Sequence, residues 1–373
     1  IRNRYKGGRG YPNLDCQMEI DSKECHSVDG YFVSVQAGTH AAEARRAAMD
    51  LASRLSFDTA EAGNLGLVVT EAAKNLLKHA GGGEVILRPV AHGDSMGVEM
   101  LAIDKGPGID NVGHSFQDGY STAGTCGTGL GAISRLSSMY DIYSRPNQGT
   151  VLMAQVWKRA VPRLDTLKPQ SKFRLGAVSV PKNGETVCGD AWTFVEHAQG
   201  VRLLVADGLG HGLLASDASS AAVRVAQQQV TEGGPRLLDR IHGALRPTRG
   251  AAVAVAELEH GRGILRYTGI GNIGGSIRSH AGAVQHLVSH AGTAGHEVRK
   301  IAEFSYRWDP GSLLVMYSDG LSSHWSLDRY PGLLSRHPSV IAGVLYRDFS
   351  RGRDDATVVV LQEAASHPQE AVQ

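Results

Sequence analysis

Residues 158–172, KRAVPRLDTLKPQSK, separate two stretches of chain with different periodicities. The segment carries prolines and several charges but few apolar anchors, the composition of a linker. Before it, helical and alternating patterns follow one another. YFVSVQ from Tyr31 alternates as a strand, and Ala44, Ala47, Ala48, Leu51 and Leu55 then share a helical face behind a cap at Thr39. Asp58 caps a second helix running to about Ala80, followed by strands GEVILRPV and GVEMLAID joined by the turn-rich AHGDSMG. A Gly/Ser/Thr loop spans Asn111 to Gly127, a short helix covers GAISRLSSMYDI, and a hairpin ends near Trp157. This order predicts helices on one face of a mixed sheet.

After the linker the pattern turns to short β-rich runs: FRLGAVSV, VRLLVADG, AAVAVAELE, GILRYTGIG, SLLVMYSDG and ATVVVLQE. Helical stretches fall at roughly 212–230, 236–245 and 338–349. Two packed sheets flanked by helices would bury these runs. A chain of 373 residues exceeds what one core usually serves. The expected division is a loose arm over 1–30, a first domain over 31–157, the linker, a second domain over 173–362 and a disordered tail over 363–373.

Bulk properties exclude several classes. A formal net charge of +1 gives no reason to expect nucleic-acid or anionic-membrane binding. No apolar run approaches the ~18–20 residues of a membrane span. The longest weakly polar stretch, Leu203 to Val225, is broken by Asp207, His211 and Asp217. Cys16, Cys25, Cys126 and Cys188 lack zinc or redox-motif spacing, and no signal-peptide pattern is present. The expectation is a cytoplasmic protein with reduced thiols.

The first domain carries the parts of a nucleotide site. Glu71, Asn75 and His79 are spaced along one helical face, beside an apolar stripe of Leu65, Val68, Ala72, Leu76 and Ala80. The Asn side-chain oxygen suits Mg²⁺ held against phosphates, and the carboxylate one turn earlier is placed to orient or deprotonate a nucleophile. Asp104 ends an apolar strand, where an acceptor-only carboxylate can receive the exocyclic amine of adenine. Gly106 and Gly108 permit a tight turn beside it. Gly127, Gly129 and Gly131 lead into a helix whose free N–H groups favour phosphate.

The second domain carries spaced aspartates: GD at Asp190, DGLGHG from Asp207, SDG at Asp319, and RDDAT with Asp354 and Asp355. Asp207 and Asp319 each follow an apolar strand and precede glycine. Such carboxylates converging alone would repel and rise in pKa. Two divalent cations would remove that conflict and supply a hydroxide at neutral pH. Oxygen-only ligation favours Mg²⁺ or Mn²⁺ over zinc.

Residues 31–157 resemble the gyrase/Hsp90/histidine-kinase/MutL (GHKL, Bergerat) ATP-binding fold, specifically the anti-sigma-factor serine kinases. TEAAKNLLKHA is similar to their N box, DKGPGI to their G1 box and GTGLGA to their G2 box, with GTGLGAISRL closer to the RsbT-like than to the RsbW-like form. The resemblance implies Glu71 as catalytic base, Asn75 as Mg²⁺ ligand, Asp104 as adenine reader and 111–127 as the ATP lid. VADGLGHG, YSDGL and RDDAT, over about 173–362, resemble the SpoIIE/RsbX-like branch of the metal-dependent type-2C protein phosphatases. That resemblance implies that Asp207 bridges both metals and that Asp190 and the Gly208 carbonyl complete one site. It implies Asp319 and Asp354 at the other, with Asp355 in support and His211 bracing the turn. No phosphate-binding arginine is evident near Asp190, as in the SpoIIE-like branch.

The implied fold is α+β: an N-terminal α/β sandwich ATP-binding domain followed by an α-β-β-α four-layer phosphatase domain. The implied protein is a partner-switching regulator. It would phosphorylate Ser/Thr on a STAS-type anti-anti-sigma protein with ATP·Mg²⁺ and remove phosphoserine or phosphothreonine with Mg²⁺ or Mn²⁺. A sigma factor is a further candidate partner and a homodimer a candidate assembly. The rival reading makes the first domain a non-catalytic module through which ATP or a sigma factor gates the phosphatase.

Overall fold

The computed structural model describes residues 24–26, 30–93, 95–110, 112, 129–158, 172–259 and 261–363. Gly127, most of the expected lid, most of the linker, most of the expected arm and the tail beyond Glu363 lie outside these described residues.

The first domain is a five-stranded sheet under a helical layer. Its strands are β2 (Tyr31–Val35), β3 (Gly83–His92), β4 (Ser95–Asp104), β5 (Met139–Ser144) and β6 (Thr150–Trp157), in the order β2-β3-β4-β6-β5. Every pairing is antiparallel, so the sheet is not mixed as expected. The helices are α1 (Gly38–Arg54), α2 (Thr59–Ala80) and α3 (Gly129–Leu136). Asp58 caps α2 as expected, its side chain accepting from Glu61 N–H while Glu61 returns the bond in a capping box. Gly81, with φ +73°, ends the helix in the left-handed conformation. Thr39 does not cap α1. The cap residue is Ala37, and His40 Nδ1 accepts from the Gln36 and Ala37 N–H groups. Helix α3 stops at Leu136, and MYDI pairs with β6 instead of extending the helix. Leu51, Leu65, Val69 and Ala73 from the helices pack with Val85, Leu87 and Met100 from the sheet.

The second domain packs two sheets face to face. One contains β1 (Glu24–His26), β8 (Asp190–His197), β9 (Gly200–Gly208), β10 (Ala251–Glu259), β11 (Ile264–Ile270) and β14 (Glu303–Arg307), in the order β1-β8-β9-β10-β11-β14. The other contains β7 (Phe173–Val180), β12 (Gly274–Arg278), β13 (Val284–His286), β15 (Leu313–Tyr317) and β16 (Ala356–Glu363), in the order β13-β12-β15-β16-β7. Trp192, Leu203, Val205, Tyr267, Leu314, Met316 and Val359 fill the space between them. Helices α4 (Leu213–Gln228) and α5 (Gly234–Leu245) cover the first sheet, and α6 (Pro338–Phe349) covers the second. These are the expected α-β-β-α layers. Within the segment read as a loose arm, Glu24–His26 pairs along β8.

The outer face of the first domain's sheet is also covered. Ile86, Leu101, Ile103, Val151 and Met153 join Val340, Val344 and Leu345 of α6 in one apolar cluster, so α6 lies between two sheets. That contact encloses a polar knot. Glu99, 1% exposed, accepts from Arg88 Nε (2.8 Å), Gln155 Nε2 (2.8 Å) and Ser339 Oγ (2.9 Å). Burial pushes the Glu99 carboxyl upward, but Arg88, His337 and these hydrogen bonds hold it below the usual glutamate range. Asp141 adds a second polar link, accepting from His337 N–H at 2.6 Å and from Arg336 at 3.2 Å.

Candidate functional site

The aspartates expected to hold metal come from the ends of both sheets. In the β8/β9 ladder Asp190 lies directly opposite Asp207, which sets two carboxyl groups side by side on neighbouring strands. Asp319 follows β15 and Asp354 precedes β16, adjacent strands of the other sheet. Ser318 ties the sheets together. Its hydroxyl donates to Asp190 Oδ2 at 2.6 Å and accepts from Thr357 N–H at 2.9 Å. Asn272 Nδ2 donates to Asp319 Oδ2 at 2.6 Å. Gly208 needs to be glycine because a Cβ would run into the Ala215 backbone.

The electrostatics of this cluster are strained. Burial, then the charges of Asp190, Asp319, Asp354 and Asp355, push the Asp207 carboxyl up to about 9. Burial pushes Asp190 up to about 7, against the opposing hydrogen bond from Ser318. Asp319 rises through burial and Asp354, and Asp355 rises mainly through burial. Asp355 Oδ1 accepts from Lys182 N–H at 2.8 Å, while its buried Oδ2 has no hydrogen-bond partner. As they stand, no three His, Cys, Asp or Glu side chains among the described residues converge tightly enough to hold a metal ion. The donor set is nonetheless all oxygen and its carboxylates repel, which is the chemistry that Mg²⁺ or Mn²⁺ relieves. His211 Nδ1 lies 2.7 Å from Glu185 Oε1.

The residues expected to form the nucleotide site lie on α2, at the end of β4 and at the start of α3. Glu71 and Asn75 stand one turn apart on α2, and Gly129 at the start of α3 lies against both. A Cβ on Gly129 would approach Asn75 Oδ1 to 3.2 Å and Glu71 Oε2 to 3.5 Å, so the glycine keeps that space open. Lys74 Nζ lies 2.9 Å from Glu71 Oε1. Gly131 is buried in α3. Asp104 Oδ1 accepts from Gly106 N–H at 2.8 Å and Thr150 N–H at 3.1 Å. Burial raises the Asp104 carboxyl. Gly108, φ +72°, turns tightly against the Arg145 carbonyl. His79 is lowered mainly by burial.

Several residues of these sites escape a reading of the sequence. Lys74 and Ser318 sit inside the motifs themselves, whereas Thr150 and Asn272 enter only through pairing across strands. The sole signal for Asn272 is its place in a glycine-bounded turn after β11.

Two known families match separate parts of the chain. Residues 35–155 match the histidine kinase-like ATPase domain family, and residues 197–363 match the stage II sporulation protein E (SpoIIE) family. The serine/threonine-protein kinase RsbT of Bacillus subtilis (strain 168) is 32% identical over 116 residues, 31% of this chain and 87% of that protein. The phosphoserine phosphatase RsbX of the same organism is 24% identical over 141 residues, 38% of this chain and 71% of that protein. The structure of the PP2C phosphatase domain and a regulatory-domain fragment of SpoIIE from Bacillus subtilis aligns with 16% identity and a TM-score of 0.45. That alignment covers 87% of this chain and 94% of the other. No helix among the described residues is long and apolar enough to cross a membrane.

Proposed function

The chain belongs to the histidine kinase-like ATPase family in its first half and the SpoIIE family in its second, and from that premise we propose a partner-switching regulator. Its second domain removes phosphate from phosphoserine or phosphothreonine on a STAS-type anti-anti-sigma protein. Its first domain binds ATP·Mg²⁺ and phosphorylates a Ser/Thr in the same pathway.

The observation that carries the hydrolase reading is the facing pair Asp190 and Asp207, met by Asp319 and Asp354 from the other sheet. These carboxylates and the Gly208 carbonyl would hold the divalent cations. Ser318 and Asn272 aim Asp190 and Asp319. Bound there, two Mg²⁺ or Mn²⁺ ions supply the nucleophile at neutral pH and neutralise the phosphoryl oxygens.

In the first domain Asp104 accepts the adenine amine, and Asn75 gives an oxygen to Mg²⁺. The N–H groups at Gly127, Gly129 and Gly131 receive phosphate. Glu71 takes the proton of the attacking hydroxyl. One observation favours the rival, in which this domain only binds ATP or a sigma factor. Lys74 Nζ occupies Glu71 Oε1 at 2.9 Å, which leaves Oε2 alone to accept a proton. Radiolabel transfer from γ-labelled ATP to a STAS protein separates the readings. Transfer abolished by Glu71→Ala or Asn75→Ala supports the kinase; ATP-dependent regulation without transfer supports the binding module.

A further inference from the structure

Helix α6 is buried along its length from Pro338 to Arg347. A helix apolar on all sides belongs between two packed surfaces, and α6 has β7 and β16 on one side and β4, β5 and β6 on the other. Its backbone approaches both. On β7, a Cβ at Gly176 would collide with the chain at Pro338 and Ser339. Toward the first domain, a Cβ at Gly343 would lie 2.7 Å from Val151 Cγ1 and 3.6 Å from Ile103 Cδ1.

Ile103 and Val151 adjoin the residues that build the adenine end of the nucleotide site. Asp104 follows Ile103, Thr150 precedes Val151, and Thr150 N–H donates to Asp104 Oδ1 at 3.1 Å. One turn beyond Gly343 on the same side of α6 is Arg347, 2% exposed. Its Nε and Nη2 donate to Asp348 at 2.8 and 2.9 Å, while the buried Nη1 has no partner. After the Gly106 and Thr150 N–H bonds, its charge also opposes the rise that burial imposes on Asp104.

The other end of α6 reaches the metal-site loops. Phe349 O accepts from Ser322 N–H at 2.9 Å, Arg351 N–H donates to Gly320 O at 2.9 Å, and Ser350 bridges to Leu321. These bonds fasten the helix end to the residues just after Asp319, and the chain then runs directly to Asp354.

We propose that α6 positions both sites at once: Gly343 and Arg347 set the adenine end of the nucleotide site from the phosphatase domain, while the helix end fixes Asp319 relative to Asp354. Arg347 is then a positioning residue for a site in the other domain, and the two sites are energetically coupled through α6. This rests on the assignment of ATP to Asp104 and of metals to the aspartates made above.

The test uses the full chain, with ADP titrated calorimetrically between pH 5 and 9 at fixed free Mn²⁺. The charged groups that act with Asp104 are Arg347 on α6 and His79 on α2, while the adjacent Lys105 acts on Glu84 of β3. Only Arg347 is changed, so the difference between proteins reads its effect. An ionised Asp104 accepts the adenine amine, so binding weakens as pH falls. Arg347→Gln is expected to move the acid limb up by about one pH unit, weakening ADP up to about tenfold on that limb and little at pH 9. Arg347→Lys restores most of both. A purely structural loss would not move the limb.

The second readout is hydrolysis of p-nitrophenyl phosphate at the same free Mn²⁺. Saturating ADP is expected to change its kcat/KM about fivefold or more in the wild type. Val151→Ala, which opens the Gly343 contact without adding bulk, removes that response while ADP still binds. Wild-type ADP binding with an Arg347→Gln profile superimposed on it overturns the positioning role, and a wild-type turnover indifferent to bound ADP overturns the coupling. A wild type that binds no ADP overturns the nucleotide assignment itself, and this inference with it.

Discussion

Replacing Asp207 with Asn is expected to stabilise the metal-free protein while abolishing hydrolysis. Burial and the surrounding carboxylates push the Asp207 carboxyl from 3.8 up to about 9. The unfolded chain releases the same proton near 3.8. Between those values the unfolded state binds fewer protons, so stability falls as pH rises from about 4 to about 9. At pH 7 the gap from 3.8 corresponds to about 4 kcal/mol. That is a ceiling, because Asp190 shares the same field. An Asn has no proton to release, so in EDTA the variant should melt roughly 5–10 °C above wild type at neutral pH. The advantage closes toward pH 4. Saturating Mn²⁺ reverses the order, because only the wild type gains from the ion. Thermal melts from pH 4.5 to 8.5, with EDTA and with Mn²⁺, test this. A metal-free Asp207→Asn protein melting at or below wild type throughout would contradict a raised Asp207 carboxyl.

The other predictions follow from the same structure. Ser318→Ala and Asn272→Ala each remove a hydrogen bond that aims a metal-site carboxylate. Each should weaken Mn²⁺ affinity about 10–100-fold, read by metal titration of phosphate release. Glu99→Ala strands Arg88 in the contact between the domains and should cost about 3–5 kcal/mol in urea unfolding. Because Arg88 and its neighbours hold Glu99 below the usual range, that contribution is present at neutral pH and lost as pH falls below it, so mutant and wild type should converge in acid.

Local signals were legible in the sequence wherever their physics is local. Asp58 with Glu61 announces the start of α2, and the apolar spacing after it sets the helix that carries Glu71 and Asn75. The motifs at Asp190, Asp207, Asp319 and Asp354 were visible as carboxylates at strand ends. What escaped depends on partners distant in sequence. Residues 139–142 look like the end of a helix until β6 supplies their hydrogen bonds. Thr39 looks like a cap, but His40 makes the bonds to the N-terminal N–H groups. The facing of Asp190 with Asp207 is a matter of strand register, and Asn272 reaches Asp319 only through the fold. The run VIAGVL in α6 carried a signal in its lack of a polar face, but not the identity of the second surface that covers it.

Hydrolysis at the aspartate cluster is measured most simply as phosphate release from a phosphorylated STAS-domain protein by the purified chain. Mn²⁺-dependent release that EDTA stops and Asp207→Asn abolishes is the predicted result. No release from the wild type, or release that Asp207→Asn leaves unchanged, would contradict it.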